Sequence, residues 1–223
     1  MKILFDHCCR LCQNFATGVT EYQGELIDRE PILAESDNFF LVPDLSPVSR
    51  YHLLIVSKHH YTSMSMLSDE LLEELELLCN WACNKIKESI GGNYAIFEHG
   101  SGSESSRSFN SVNHLHLHIV QFEDKLSKFI DGKVLCKKKS ISKLSDVKSH
   151  TGKEYIFIAD YDGAAYVLLF EHSEVRSQLL RKIIFEHKRS NLDLLNAVSH
   201  DWKKGIDLSD YYRSADILKK IFL

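Results

Sequence analysis

The run His114-Leu115-His116-Leu117-His118-Ile119-Val120 alternates imidazole with aliphatic side chains and then stays apolar. Strict alternation is the pattern of a strand whose two faces meet unlike surroundings. It predicts a strand over 112–122, with Leu115, Leu117 and Ile119 in the core and the three imidazoles on the other face. On a strand those imidazoles stand at steps of roughly 7 Å, a titratable row on a rigid element. A half-exposed strand is an adequate account of one histidine. Three in alternation, directly after the polar, glycine- and serine-rich stretch 99–111, point to a metal site or to a nucleophile with helpers.

The neighbouring segments give this strand its company. Residues 32–42 read as a strand broken by a turn at Ser36-Asp37-Asn38, and Pro43 to Pro47 as a loop. Residues 51–61 open as an aliphatic strand and end polar near Ser57 to His60. Ser68 is a good N-cap, with Asp69 and Glu70 in the first turn where the helix dipole favours anions. Leu71, Leu72, Leu75, Leu78, Cys79, Ala82 and Ile86 then recur at helical spacing until Gly91 and Gly92 stop the helix. Tyr94 to Glu98 is a short strand. After residue 124 a lysine-rich stretch leads to two apolar runs around Asp162-Gly163, a hairpin signal. A helix capped by Ser177 and a helical tail follow. Two regions are therefore expected, 1–124 and a basic hairpin-and-helix region 125–223, the second packed on the first.

Charge divides along the same line. Residues 1–124 hold 8 Lys+Arg against 18 Asp+Glu, a net −10, and residues 125–223 hold 19 against 13, a net +6. The halves either attract each other or leave the basic half facing an anion such as nucleic acid. No apolar run approaches the roughly 20 residues that span a bilayer, so no membrane partner is expected. The N-terminus lacks the apolar length and small-residue site of a secretory signal, which makes a cytoplasmic protein the default. The six cysteines fit a reducing compartment, because Cys8, Cys9 and Cys12 cluster instead of spreading as a disulfide framework. Cys79 and Cys83 read as packing within the long helix.

Cys9-x-x-Cys12 lets two thiolates reach one tetrahedral ion. Such a site needs two more ligands, and His52, His59, His60 and the histidine row are candidates. Cys8 is an alternative member of the thiol pair.

Taken together these stretches resemble the histidine-triad superfamily. His114 to Val120 matches the pattern His-φ-His-φ-His-φ-φ, where φ is apolar, at all seven positions. The segment 51–60, YHLLIVSKHH, resembles the family's upstream strand, with Ser57 where a proline is usual. FNSVNHLHLH resembles its Gln-Ser-Val-x-His-x-His-x-His, with Asn110 in place of glutamine. The resemblance covers roughly residues 5–124 and implies an α+β fold, an antiparallel sheet with a long helix and often a dimer. Residues 125–223 would be a C-terminal α+β extension.

The resemblance also implies roles. His116 would be the nucleophile on an α-phosphate, forming a nucleotidyl-histidine later resolved by water or another acceptor. His118 and His52 would hold phosphate oxygens, Ser111 would help the leaving group, and Asn110 and Asn38 would complete the nucleotide contacts. Structural zinc would take Cys9, Cys12, His114 and either His59 or His60. His118 at the third position favours hydrolase-like branches over nucleotidyltransferases, which tend to carry glutamine there. The expected activity is cleavage of a nucleoside phosphoramidate or dinucleoside polyphosphate. The alternatives are a module that binds a nucleotide or nucleic-acid end with little turnover, and a hydrolase with catalytic zinc at the histidine row.

Overall fold

The long helix caps and ends where the sequence signals place it. In the computed structural model, which describes residues 5–22, 25–28, 31–102, 112–170, 178–190 and 207–223, it spans Asp69–Ile90. Ser68 Oγ accepts the Leu71 N–H, and Gly91 turns the chain at φ 70°. In chain order the elements are α1 (Arg10–Thr17), β1 (Val19–Tyr22), β2 (Glu25–Asp28), β3 (Ala34–Glu35), β4 (Phe39–Pro43), β5 (His52–Ser57), this helix as α2, β6 (Tyr94–Gly100), β7 (His116–Gln121), α3 (Leu126–Ile130), β8 (Lys137–Ile141), β9 (Tyr155–Ala159), β10 (Ala165–Leu169), α4 (Leu179–Ser190) and α5 (Leu208–Phe222). Two short 3₁₀ segments, Met64–Met66 and Leu144–His150, lie between them.

β1 and β2 form a separate hairpin. The other strands make one antiparallel sheet in the order β3-β4-β5-β7-β6-β9-β10-β8. The turn at Ser36 to Asn38 divides β3 from β4, which pair Ala34 with Leu41. β6 pairs with β9, so the sheet runs unbroken from residues before 124 into residues after it. Asp162-Gly163 sits in a three-residue loop, not the two-residue turn that the dipeptide favours. Gly163 N–H bonds Asp160 O, Asp160 N–H bonds Ala164 O, and Gly163 takes φ 83°, a turn followed by a left-handed residue.

The sheet is covered on both faces. On one, Leu41, Leu53, Ile55, Leu117, Ile119 and Phe157 meet α2 and Leu218 of α5. On the other, Ala95, Phe97, Val120, Ile156 and Leu168 meet α3 and Leu180, Ile183 and Ile184 of α4. His116 and His118 fall on this second face, so a helix from the C-terminal half shares a face with the histidine row. The regular strand begins at His116. His114 precedes it, on backbone held by Leu115 N–H to Tyr61 O and Ser57 N–H to Leu115 O. The sequence-based expectation of one strand carrying all three imidazoles is corrected there.

Among the described residues no helix is long and apolar enough to cross a membrane.

Candidate active site and metal centre

Cys9 is the N-cap residue of α1 and Cys12 lies in its first turn, so both thiols project from one helix end. His60 follows β5, and His114 precedes β7. All four residues are buried, and their ligand atoms lie within 4.8 Å of one another. His114 Nδ1 is 3.4 Å from both sulfurs, and His60 Nδ1 is 3.4 Å from Cys12 Sγ. A tetrahedral zinc with Zn–S about 2.3 Å and Zn–N about 2.0–2.1 Å separates sulfur from nitrogen by about 3.5 Å. The spacing therefore fits such an ion without rearrangement.

The surrounding bonds prepare the ligand atoms. His114 Nε2 is 2.8 Å from the Ser57 carbonyl oxygen, which only accepts, so Nε2 carries the proton and Nδ1 turns its lone pair to the sulfurs. Burial lowers the His114 pKa to about 4, keeping the ring in its neutral, ligating form. Burial pushes the Cys9 thiol up to about 12, so ionising it in this pocket calls for a cation. His60 Nε2 lies 3.9 Å from an Asp6 carboxylate oxygen. Between the two candidates after β5, the geometry brings His60, not His59, to the thiols.

The second cluster starts on β7. His116 Nδ1 is 2.7 Å from the His114 carbonyl oxygen, so it donates its proton there and leaves Nε2 with a lone pair. Burial lowers the pKa of this half-buried imidazole, which favours the neutral ring. His118 is buried, with its ring stacked on Phe97 at 4.4 Å between centroids and 5.0 Å from His116. Its Nδ1 is 2.9 Å from His52 Nε2. His52 Nδ1 accepts the Val48 N–H at 3.2 Å, so His52 carries its proton on Nε2 and donates to His118. The proton of neutral His118 then sits on Nε2. Burial first, and then His116 and His52, hold the His118 pKa well below its ordinary value.

Two residues join this cluster that the sequence-based assignment omits. Asp44 Oδ2 lies 3.5 Å from His52 Nε2 and 3.8 Å from His118 Nδ1. Arg181 of α4 donates to the same oxygen at 2.9 Å and also bonds the Ser46 carbonyl. Burial opposes the charge on Asp44, but Arg181, His52 and the Ser46 N–H outweigh it and hold the carboxyl below the usual range. A sequence signal for Arg181 existed. It lies three residues before Ile184 on the apolar face of its helix, and a buried guanidinium needs a partner. Asp44, His52 and His118 also lie close enough to hold a metal ion. The direct His52–His118 hydrogen bond and the guanidinium on Asp44 commit those atoms to one another and disfavour catalytic zinc there.

Asn38 is not brought to this row. Its backbone and side-chain N–H groups both donate to Glu74 of α2 at 2.7 Å, and α2 covers the opposite face of the sheet. That reading is corrected to a turn anchor. Ser111, Asn110 and the Ser177 cap lie outside the described residues.

Residues 22–130, just under half the chain, match the family model described as "Scavenger mRNA decapping enzyme C-term binding". That matched stretch holds the histidine row and its upstream strand, and there the chain is similar to the histidine-triad superfamily. None of the curated proteins matches it. Similar solved structures include a hypothetical histidine triad nucleotide-binding protein from Sulfolobus tokodaii, at 22% identity and TM-score 0.35 over 41% of this chain and 60% of that one. An HIT family hydrolase from Clostridium thermocellum is 21% identical, with TM-score 0.38 over 53% of this chain and 94% of that one. A zinc-bound histidine triad family protein from Mycobacterium smegmatis is 23% identical, with TM-score 0.33 over 41% and 66%.

Proposed function

We propose that this protein is a nucleotide phosphohydrolase that cleaves at an α-phosphate through a nucleotidyl-histidine on His116. The observation that carries the reading is the His116 Nδ1 bond to the His114 carbonyl, which leaves Nε2 as a neutral nucleophile. Nε2 attacks phosphorus. The N–P bond forms as the bond to the leaving group breaks, and the leaving group departs with the electron pair. Water then attacks phosphorus, the N–P bond breaks, the water's proton passes to solvent and the nucleotide is released. His118 Nε2–H faces the phosphate oxygens, where a fixed donor stabilises developing charge, and His52, whose two ring nitrogens are taken by Val48 and His118, orients His118 instead of touching phosphate itself. Ser111 assists the leaving group and Asn110 contacts phosphate.

The substrate class is a dinucleoside polyphosphate or a nucleoside phosphoramidate. The decapping description of the matched family fits the former, since an mRNA cap joins two nucleosides through a polyphosphate. Zinc on Cys9, Cys12, His60 and His114 is structural and ties α1 to the backbone that presents His116. The reading extends to a cytoplasmic setting, to homodimer formation and to nucleic-acid contact by the basic half, where Lys137 and Lys139 stand exposed on the edge strand β8. Light scattering and salt-dependent retention on an RNA column test the last two.

The decisive experiment traps the protein with diadenosine polyphosphates and nucleoside phosphoramidates and maps adducts by mass spectrometry. An adduct on the His116 peptide is expected. His116→Ala should lose the adduct and slow turnover by roughly 10³-fold or more while keeping its circular dichroism. Wild-type turnover by that variant would overturn the proposal.

A further inference from the structure

A side chain of the C-terminal half reaches the histidine row. Arg181 lies on α4, is 5% exposed, and holds Asp44 Oδ2 at 2.9 Å while bonding the Ser46 carbonyl. The Ser46 N–H bonds the other carboxylate oxygen, Asp44 Oδ1, at 2.7 Å. Asp44 is thus clamped beside the junction of two imidazoles, 3.5 Å from His52 and 3.8 Å from His118.

We propose that Arg181 is a positioning residue for the catalytic row, holding Asp44 so that His52 and His118 stay a neutral, directionally bonded pair with the His118 proton on Nε2. This deepens the proposed function, on which its catalytic consequence rests. The argument is charge balance in a buried place. A carboxylate beside two imidazoles and without another counter-ion draws a proton onto them, because an unpaired buried charge is costly. A guanidinium on the same oxygen supplies the opposite charge, so the pair need not. Among the described residues, the charged and titratable groups facing His118 are His116 on its own strand, His52 on β5, His99 on β6, Asp44 after β4 and Arg181 on α4.

The fork also fixes direction. With Arg181 and the Ser46 N–H occupying Asp44, the carboxylate does not need the His52 Nε2 proton, which goes to His118 at 2.9 Å. Lysine would keep the charge but lose the simultaneous hold on Asp44 and the Ser46 carbonyl.

Imidazole ¹⁵N resonances read this without any substrate. In the wild-type zinc-loaded protein at pH 7, His52 and His118 should both be neutral Nε2–H tautomers. A His118 proton on Nδ1, or a protonated pair, overturns the proposal even if no variant folds. In Arg181→Met one proton should appear on the pair at the same pH, and in Arg181→Met/Asp44→Asn the pair should again be neutral. A folded Arg181→Met with an unchanged neutral pair also overturns it, because a merely structural arginine would leave the imidazole spectrum alone. With a diadenosine polyphosphate as probe, Arg181→Met should lower kcat by more than tenfold. An unchanged kcat in the presence of the altered imidazole spectrum would refute the nucleotidyl-transfer role while leaving the proton placement standing.

Discussion

A buried carboxyl on the far face of β6 makes the energetic reading testable. Glu98 is 1% exposed. Its Oε1 accepts the Met64 N–H at 2.6 Å and its Oε2 accepts the Tyr155 hydroxyl at 2.7 Å. Burial raises the pKa from 4.5 to about 7, and these two bonds only partly offset the rise. A carboxyl whose pKa is higher in the folded than in the unfolded chain contributes stability that is fully present below the unfolded value. That contribution is lost as pH climbs through the folded value. At about 1.4 kcal/mol per pH unit the whole loss is about 3.5 kcal/mol, and about 2.5 kcal/mol of it falls between pH 5 and pH 8. Glu98→Gln removes the titration and keeps the shape, at a pH-independent cost of roughly 1 kcal/mol for the disturbed Tyr155 bond. Urea denaturation of both proteins with zinc present, at pH 5 and pH 8, isolates the effect. The stability of Glu98→Gln relative to wild type should improve by about 2.5 kcal/mol at the higher pH. A difference that stays flat, or in which the variant loses ground to wild type as pH rises, would refute the reasoning.

Other expectations follow from single contacts. Gly100→Ala would place a Cβ 2.2 Å from Tyr155 Cζ in a ring that is itself buried, so it should cost about 3 kcal/mol by denaturation. Cys12→Ser should lower zinc affinity by at least about 100-fold in a chelator competition, because it removes a ligand and not merely an outer-shell support. It should also raise amide exchange across α1. Asp207→Ala removes the side chain that accepts the Ser209 and Asp210 N–H groups at the start of α5, and thermal denaturation should show a loss of about 1 kcal/mol.

What the sequence could determine is what depends on local period and local caps. Ser68, the leucine spacing and Gly91 bound α2 to within a residue, because capping and amphipathic burial act over a few turns. The alternation from His116 to Val120 likewise dictates which side chains of β7 meet α2 and which meet the opposite face. Cys9, Cys12 and a histidine after β5 were legible as ligand types, and the choice of His60 over His59 was not. Adjacent residues differ little in sequence terms but point in different directions once the chain leaves its strand. The family resemblance already implies His114 beside the thiols, but tertiary structure alone removed it from the regular strand and set its Nε2 on the Ser57 carbonyl. It turned Asn38 toward Glu74 and set Arg181 against Asp44 across 137 residues. Those pairings are settled by which helix covers which face of the sheet, and such long-range contacts leave no period in the sequence to read.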